Sequence, residues 1–203
     1  MERYQNTSLA LALAALFAAL PVMAPGEDGD EAAWSALRSG GHVALLRHAL
    51  APGTGDPPGF TIGDCTTQRN LSESGRHQAS AIGARFREAG LEGVLVYSSQ
   101  WCRCLDTAEL LALGPVEELS SLNSFFQQPD QRDTRLRNLR AWLTKQDMEN
   151  PVVLVTHQVT VTALTGYLPA SGEVVVVRVN ENGTFSVVAT VQTQPPGHLS
   201  HRR

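Results

Sequence analysis

The segment HVALLRH, residues 42–48, decides the fold that the sequence predicts, because a short apolar run leads directly into two basic side chains. The apolar part, residues 42–46, is typical of a strand that is buried on both faces of a sheet. Similar runs lie at residues 94–97 and 152–156, and helical segments separate and follow the three runs. Strands that alternate with helices predict an α/β protein on a largely parallel sheet.

Helices and a hairpin complete the predicted fold. Apolar residues at helical spacing, with caps or glycines at the ends, predict helices near residues 30–37, 72–89, 105–113, 132–147 and 159–167. Residues 174–179 and 185–191 are apolar runs on either side of NENGT, residues 180–184, which predicts a β-hairpin. The expected fold class is a three-layer α/β/α sandwich.

The chain divides into three predicted parts. Residues 1–25 have the layout of a secretory signal peptide, in which a polar start precedes the apolar run LALALAALFAAL and a few small residues. This run is shorter than the roughly 20 apolar residues of a membrane span, although an uncleaved anchor and a buried first helix are the alternatives. Residues 26–193 fit one domain, and residues 194–203 are predicted to be a loose tail. We therefore expect an exported protein, periplasmic or extracellular, without a stable membrane span once the signal is removed.

Composition and charge limit the partners of the chain. The formal net charge of −4 at pH 7 argues against nucleic acid or an anionic membrane as the main partner. An anionic substrate would therefore need a local cluster of basic side chains. An oxidising compartment would permit one disulfide among Cys65, Cys102 and Cys104, and no second ligand pair at zinc spacing accompanies the Cys-x-Cys pair.

Basic side chains follow the ends of the three buried runs. Arg47 and His48 end the first run, His157 ends the third, and Arg103 lies where the helix after the second run opens. The carboxyl ends of parallel strands share one rim of the sheet, where helix N-termini add N–H donors. Two arginines and two histidines on such a rim are suited to phosphate, because a planar guanidinium binds two oxygens at once.

These residue types indicate covalent phosphoryl transfer. A neutral imidazole can attack phosphorus to form a phosphohistidine, which water then cleaves, and we expect His48 to be this nucleophile. Arg47 and Arg103 would hold the equatorial oxygens, and His157 would donate a hydrogen bond to a phosphoryl oxygen. The side chains supply the positive charge, so neither a metal nor another cofactor is expected.

Four segments resemble, in order, the motifs of branch 1 of the histidine phosphatase superfamily: LLRHA (45–49), LSESGRHQASAIG (71–83), SSQWCRCLDTAELL (98–111) and VVLVTHQVTVTALTG (152–166). The first is similar to the family's Arg-His signature, with Ala49 where many members carry glycine. The family's second arginine falls on Arg103 and its second histidine on His157. The resemblance covers about residues 41–179, and it implies a phosphoglycerate mutase-like sandwich with the same four roles.

The sequence departs from this family at the catalytic acid. Many members carry an acid shortly after the second arginine's helix, in the region that reads VEELSSLNSFF (116–126) here. The best register places Ser121 at the acid's position and Asn123 just beyond, and neither can donate a proton as a carboxylic acid does. This favours good leaving groups, such as those of phosphoramidates, acyl phosphates or sugar 1-phosphates. Alternatively a loop carboxylate fills the role, so the proton donor stays unassigned; other acids nearby are Glu117, Glu118, Asp130 and Asp133.

The loop of residues 49–70 is long for a compact domain, which indicates function. We expect it to cover the site and to select the substrate. Arg69, near its end, is either a further phosphate contact or part of a surface salt bridge. A disulfide between Cys65 and Cys102 would fix this loop beside Arg103 in an oxidising compartment.

The leading hypothesis is an exported phosphatase that hydrolyses a small phosphomonoester, such as an envelope sugar phosphate, through a phosphohistidine on His48. One alternative is a phosphohistidine phosphatase, which the missing acid supports and export opposes. Another is a non-catalytic protein on the same fold that binds a phosphorylated ligand. The oligomeric state is left open.

Overall fold

The structure is a computed structural model that describes residues 27–146, 149–180 and 183–195. The predicted signal peptide of residues 1–25 and most of the predicted tail of residues 194–203 lie outside the described residues.

One sheet of six strands organises the described residues, in the order β3-β2-β4-β1-β5-β6. The strands are β1 (His42–Arg47), β2 (Leu95–Ser98), β3 (Val116–Glu118), β4 (Val152–Thr156), β5 (Val174–Val179) and β6 (Phe185–Val191). The pairs β1–β4, β2–β4 and β2–β3 are parallel, whereas β5 pairs antiparallel with both β1 and β6. The largely parallel sheet and the antiparallel pairing of the two predicted hairpin strands, β5 and β6, are therefore confirmed.

Helices cover both faces of this sheet. They are α1 (Glu27–Arg38), α2 (Glu73–Glu88), α3 (Cys102–Leu111), α4 (Arg132–Leu143) and α5 (Gln158–Thr165). The first three helices pack on the face that carries Ala44 and Leu46, and the last two pack on the face that carries Val43 and Leu45. Successive side chains of a strand point to opposite faces, so β1 contributes to both cores. The three-layer α/β/α class is confirmed.

Several boundaries and one strand differ from the sequence prediction; α1, for example, begins at Glu27 instead of residue 30. Helix α3 begins at Cys102 instead of residue 105, and its N-cap residue Trp101 makes no side-chain capping bond, so the usual signal of a helix start is missing. Strand β2 spans Leu95–Ser98, one residue later than predicted. Strand β3 was not predicted, because it is only three residues long and two of them are the exposed Glu117 and Glu118. The early start of α3 matters most, since it places Arg103 in the first turn of the helix.

Glycines allow α2 to approach its neighbours closely. Ser72 caps α2 by accepting a hydrogen bond from Gly75 N, as its position in the sequence predicted. A Cβ atom on Gly83 would lie 1.9 Å from the carbonyl oxygen of Leu111 at the end of α3. That atom belongs to the backbone, so a side chain at residue 83 would push the two helices apart.

We expect Gly83→Ala to lower the free energy of unfolding by about 3 kcal/mol, at the upper end of typical overpacking costs. Urea unfolding followed by circular dichroism measures this. Gly29→Ala is the matched control, because Gly29 lies in α1 with open space around its Cβ position. The same substitution there should be neutral or slightly stabilising. Equal stability of the two variants would contradict the close approach.

Candidate active site

The ends of β1 and β4 bring the two predicted histidines together. His48 follows β1, and its N–H donates to the carbonyl oxygen of Thr156 at the end of β4. His157 is the next residue and the N-cap of α5. The two imidazole centroids are 5.6 Å apart. Parallel pairing in register, Arg47 with Thr156, therefore builds the centre of the site.

A cavity of about 110 Å³ opens at this rim. It is lined by the four residues that the sequence predicted and by Arg69, together with residues from the long loop and from the segments before α4 and within α5: Gly53, Thr54, Gly55, Asp56, Ser124, Phe126, Gln127, Gln158 and Val159. Pockets that enclose drug-sized ligands measure about 300–1,000 Å³. The cavity is therefore suited to enclosing a small group such as a phosphoryl group, with the rest of a substrate outside it.

His48 has the state that a nucleophile needs. Its side chain is buried, and its Nδ1–H donates to the carbonyl oxygen of Ala49 over 2.8 Å. This bond leaves the lone pair on Nε2. Burial lowers the pKa of His48 to about 3, and the positive charges of Arg103, Arg69 and Arg47 add to this effect. The imidazole is therefore neutral at physiological pH.

His157 is held by a chain of hydrogen bonds. Ser99 Oγ donates to Asn123 Oδ1 over 3.1 Å, so the lone pairs of Ser99 Oγ can accept the Nε2–H of His157 at 2.8 Å. The other ring nitrogen, Nδ1, lies 3.5 Å from Nη2 of Arg103, a group that can only donate. Burial, the neighbouring His48 and Arg103 hold the pKa of His157 well below its usual range.

The two other arginines at the cavity have different roles. Arg47 keeps an N–H donor without a partner, and Arg69 binds backbone carbonyl oxygens of the loop. Arg47 donates from Nη1 to the carbonyl oxygen of Pro169 over 2.8 Å, and its buried Nε has no hydrogen-bond partner. Arg69 donates to the carbonyl oxygens of Gly55 and Ala51 in the loop. Within the described ranges Arg69 forms no ion pair, so its side chain lines the cavity instead of joining the surface salt bridge that was the alternative.

The environment of Arg103 differs most from the sequence prediction. Its two Nη groups, the fork of the guanidinium, were expected to bind phosphate, but they donate to a carboxylate. Arg103 Nη1 lies 2.7 Å from Asp56 Oδ1, and Nη2 lies 3.1 Å from Asp56 Oδ2. Both side chains are only 3% exposed. Asp56 also accepts from Arg69 N at 3.1 Å and from Trp101 Nε1 at 3.0 Å. Burial alone would raise the pKa of Asp56, but the hydrogen bonds and charge of Arg103 outweigh burial and lower it.

Sequence reasoning missed Asp56. It lies within GTGDPP, residues 53–58, where no periodic pattern marks a functional side chain. The available signal was its position in the long loop that follows His48, together with the alternative of a loop carboxylate as the acid. The cavity is lined by none of the four acids that the sequence analysis named near the acid's position: Glu117, Glu118, Asp130 and Asp133. Ser121 is buried in the acid's predicted position, and Asn123 receives hydrogen bonds from Ser99 Oγ and Gln100 N.

Covalent and polar bonds hold the loop over the site. Cys65 and Cys102 form a disulfide with a Cα–Cα distance of 5.6 Å, which joins the loop to the first residue of α3. Gln127 accepts from Asp56 N at 2.9 Å and donates to Asp56 O at 3.2 Å.

Cys104 is a free, buried thiol 3.5 Å from His157 Nε2. Burial raises the pKa of Cys104 to about 12, so this thiol stays neutral.

The described part of the chain contains neither a membrane-spanning helix nor a cluster of metal ligands. No helix there is long and apolar enough to cross a membrane. No group of three or more histidine, cysteine and acidic side chains among those residues is arranged to hold a metal ion.

Comparison with known proteins agrees with this geometry. The sequence model of the histidine phosphatase superfamily (branch 1) matches residues 43–126. No curated protein matches the sequence. The fold is that of the phosphoglycerate mutase-like histidine phosphatases. The family match covers the first three motifs, so the resemblance to this superfamily is confirmed over that part of the chain.

Several solved phosphatase structures share this fold. The protein histidine phosphatase SixA, complexed with tungstate, is 15% identical with a TM-score of 0.55, over 75% of this chain and 97% of that chain. Mycobacterial glucosyl-3-phosphoglycerate phosphatase is 19% identical with a TM-score of 0.52, over 73% and 97%. A mutant phosphoserine phosphatase from Entamoeba histolytica is 14% identical with a TM-score of 0.54, over 76% and 98%. At these identities the likeness shows the fold.

The low pKa of His48 predicts that acid destabilises the protein. The unfolded chain protonates this histidine near pH 6.5, whereas the folded chain does so only near pH 3, so stability is lost as the pH falls between these values. We expect His48→Asn to lose about 2 kcal/mol less free energy of unfolding than the wild type between pH 7.5 and pH 5. Urea unfolding at both pH values measures this, and His77→Asn on the exposed face of α2 controls for loss of an imidazole elsewhere. An identical pH dependence in His48→Asn and wild type would contradict a buried neutral imidazole.

Proposed function

We propose that this protein is a phosphatase that hydrolyses a phosphomonoester through a phosphohistidine on His48. One observation carries the proposal: a buried, neutral imidazole with its lone pair on Nε2 lines a small cavity together with three arginines. A neutral imidazole among positive charges combines a nucleophile with groups that bind a phosphoryl dianion.

The first step transfers the phosphoryl group. Nε2 of His48 forms a bond to phosphorus while the bond between phosphorus and the leaving oxygen breaks, and the leaving group departs with the electron pair of that bond. The Nδ1–H bond to the Ala49 carbonyl oxygen stabilises the positive charge that the ring acquires. Water then attacks phosphorus, the P–N bond breaks, and His48 returns to neutrality as inorganic phosphate forms.

Arg47 and His157 assist this transfer. The buried Nε of Arg47 has no partner, so it is available to a phosphoryl oxygen. A bound dianion favours protonation of His157, because a nearby negative charge raises the pKa of a histidine. With Nε2–H donated to Ser99, the added proton on Nδ1 would be donated to a phosphoryl oxygen.

The departure at the acid position supports substrates with good leaving groups. In the register of the family resemblance, Ser121 and Asn123 take the place of the carboxylic acid that protonates an alkoxide, and neither of them is among the residues that line the cavity. A phosphohistidine phosphatase is accordingly the second candidate, since a protonated imidazole leaves readily. An envelope sugar phosphate with an activated position, such as a sugar 1-phosphate, fits the first candidate.

The assay that tests the proposal is phosphate release from p-nitrophenyl phosphate in the presence of a metal chelator. We expect turnover by the wild type and a loss of at least about a thousandfold in His48→Ala, because the covalent route is removed. Turnover should fall steeply for alkyl phosphates and persist for phosphohistidine if leaving-group quality limits the rate. Acid quenching should destroy the trapped phosphoenzyme, whereas alkaline quenching should preserve it.

Two results would contradict the proposal. Equal turnover by wild type and His48→Ala would exclude His48 as the nucleophile. Tight binding of phosphate without any turnover would indicate a binding protein on the same fold. Retention of the near-ultraviolet circular dichroism signal by His48→Ala is the control for folding.

We also propose that the protein is exported to the periplasm or the cell exterior. The composition of residues 1–25 supports this, and so does the Cys65–Cys102 disulfide, since such bonds persist in oxidising compartments. Fractionation of bacteria that express the chain with a C-terminal epitope tests it. We expect a shortened chain outside the cytoplasm, and a variant without residues 2–24 should stay inside. A full-length chain in the cytoplasm would contradict export.

A further inference from the structure

Arg103 has almost no donor left for a ligand in this structure. A guanidinium carries five N–H groups. Nη1 is engaged by Asp56 Oδ1 and the Arg69 carbonyl oxygen, and Nη2 is engaged by Asp56 Oδ2 and His157 Nδ1. The remaining Nε is buried without a partner. A phosphoryl group that used the fork of this arginine would have to take the place of Asp56.

The Asp56 carboxylate and a phosphoryl group would bind the same N–H groups of Arg103. Both present two oxygens to the parallel N–H groups of an arginine, and both form charge-assisted bonds. The two anions would also repel each other across a cavity of about 110 Å³. They therefore compete for Arg103.

Asp56 can release Arg103 without leaving the site. The Trp101 Nε1–H and the Arg69 N–H donate to the same carboxylate, and neither belongs to the fork. Gln127 holds the backbone of Asp56 on both sides, through its N–H and its carbonyl oxygen. Each carboxylate oxygen therefore has a donor other than Arg103, and the Gln127 bonds keep the Asp56 backbone in place when the carboxylate moves away from Arg103.

We propose that Asp56 is a specificity-determining residue that competes with the phosphoryl group for Arg103. The inference rests on the proposed function, since it assumes that phosphate binds at His48. The competition weakens every ligand that consists of phosphate alone, including the inorganic phosphate that the reaction releases. A substrate with a larger organic part offsets the loss through contacts at the rim, where Phe126 is 55% exposed.

The test compares the affinity of inorganic phosphate for wild type and Asp56→Asn, by isothermal titration calorimetry at pH 7.5 and as the inhibition constant against p-nitrophenyl phosphate. Asparagine has nearly the same shape and keeps one acceptor oxygen, for either the Trp101 Nε1–H or the Arg69 N–H, but lacks the charge. We expect phosphate to bind Asp56→Asn at least about tenfold more tightly. Asp64→Asn is the matched control, because Asp64 lies in the same loop, is exposed and caps the turn at Cys65. It changes the net charge equally and should leave the affinity unchanged.

A second variant keeps the test independent of the folding of Asp56→Asn. Gln127→Ala removes both bonds to the Asp56 backbone but keeps the carboxylate. The carboxylate is then held less firmly on Arg103, so we expect a smaller gain in phosphate affinity than in Asp56→Asn. Unchanged or weaker phosphate binding in the folded variants would overturn the inference and indicate that Asp56 orients Arg103. If that result accompanies turnover by the wild type, the proposed function stands. If wild type and variants neither turn over nor bind phosphate, both fail.

Discussion

The parallel pairing of β1 with β4 is the constraint on which the site depends. It places Arg47 opposite Thr156, and one backbone hydrogen bond from His48 N to Thr156 O extends the ladder past the last paired residue. The two histidines follow these strands and so meet at one point of the rim. Neither helix packing nor the loop sets this distance, because the register of the strands has already done so. A shift of one residue would turn the side chains of either strand to the other face.

The second determinant is the accumulation of positive charge around a buried imidazole. Burial lowers the pKa of His48 most, and Arg103, Arg69 and Arg47 lower it further, so the ring is neutral. The same positive charges would attract the phosphoryl group of the proposed substrate. Three guanidinium groups close together repel one another, and Asp56 reduces that repulsion in the free protein. The carboxylate therefore stabilises the empty site and opposes its filling. Such opposition between the stability of a site and its occupancy is common where function requires concentrated charge.

Much of this arrangement could be predicted from the sequence, for a physical reason. Buried strands are continuous apolar runs, and function in α/β folds lies just after them, so Arg47, His48 and His157 could be found from position alone. Arg103 was harder, since no capping residue marks the start of α3. Asp56 could not be singled out, because its role depends on how an irregular loop folds back over the sheet. Long-range contacts of that kind leave no periodic trace in the sequence.

The disulfide has a consequence for the chain before it folds. It closes a covalent ring between Cys65 and Cys102, 37 residues apart, with Arg69 inside the ring and Arg103 directly beyond it. A ring of this size removes conformations from the unfolded chain that correspond to about 4 kcal/mol. The two arginines are thus kept near each other even when the sheet is absent. The disulfide therefore fixes part of the geometry of the cavity covalently, before the helices and strands pack around it.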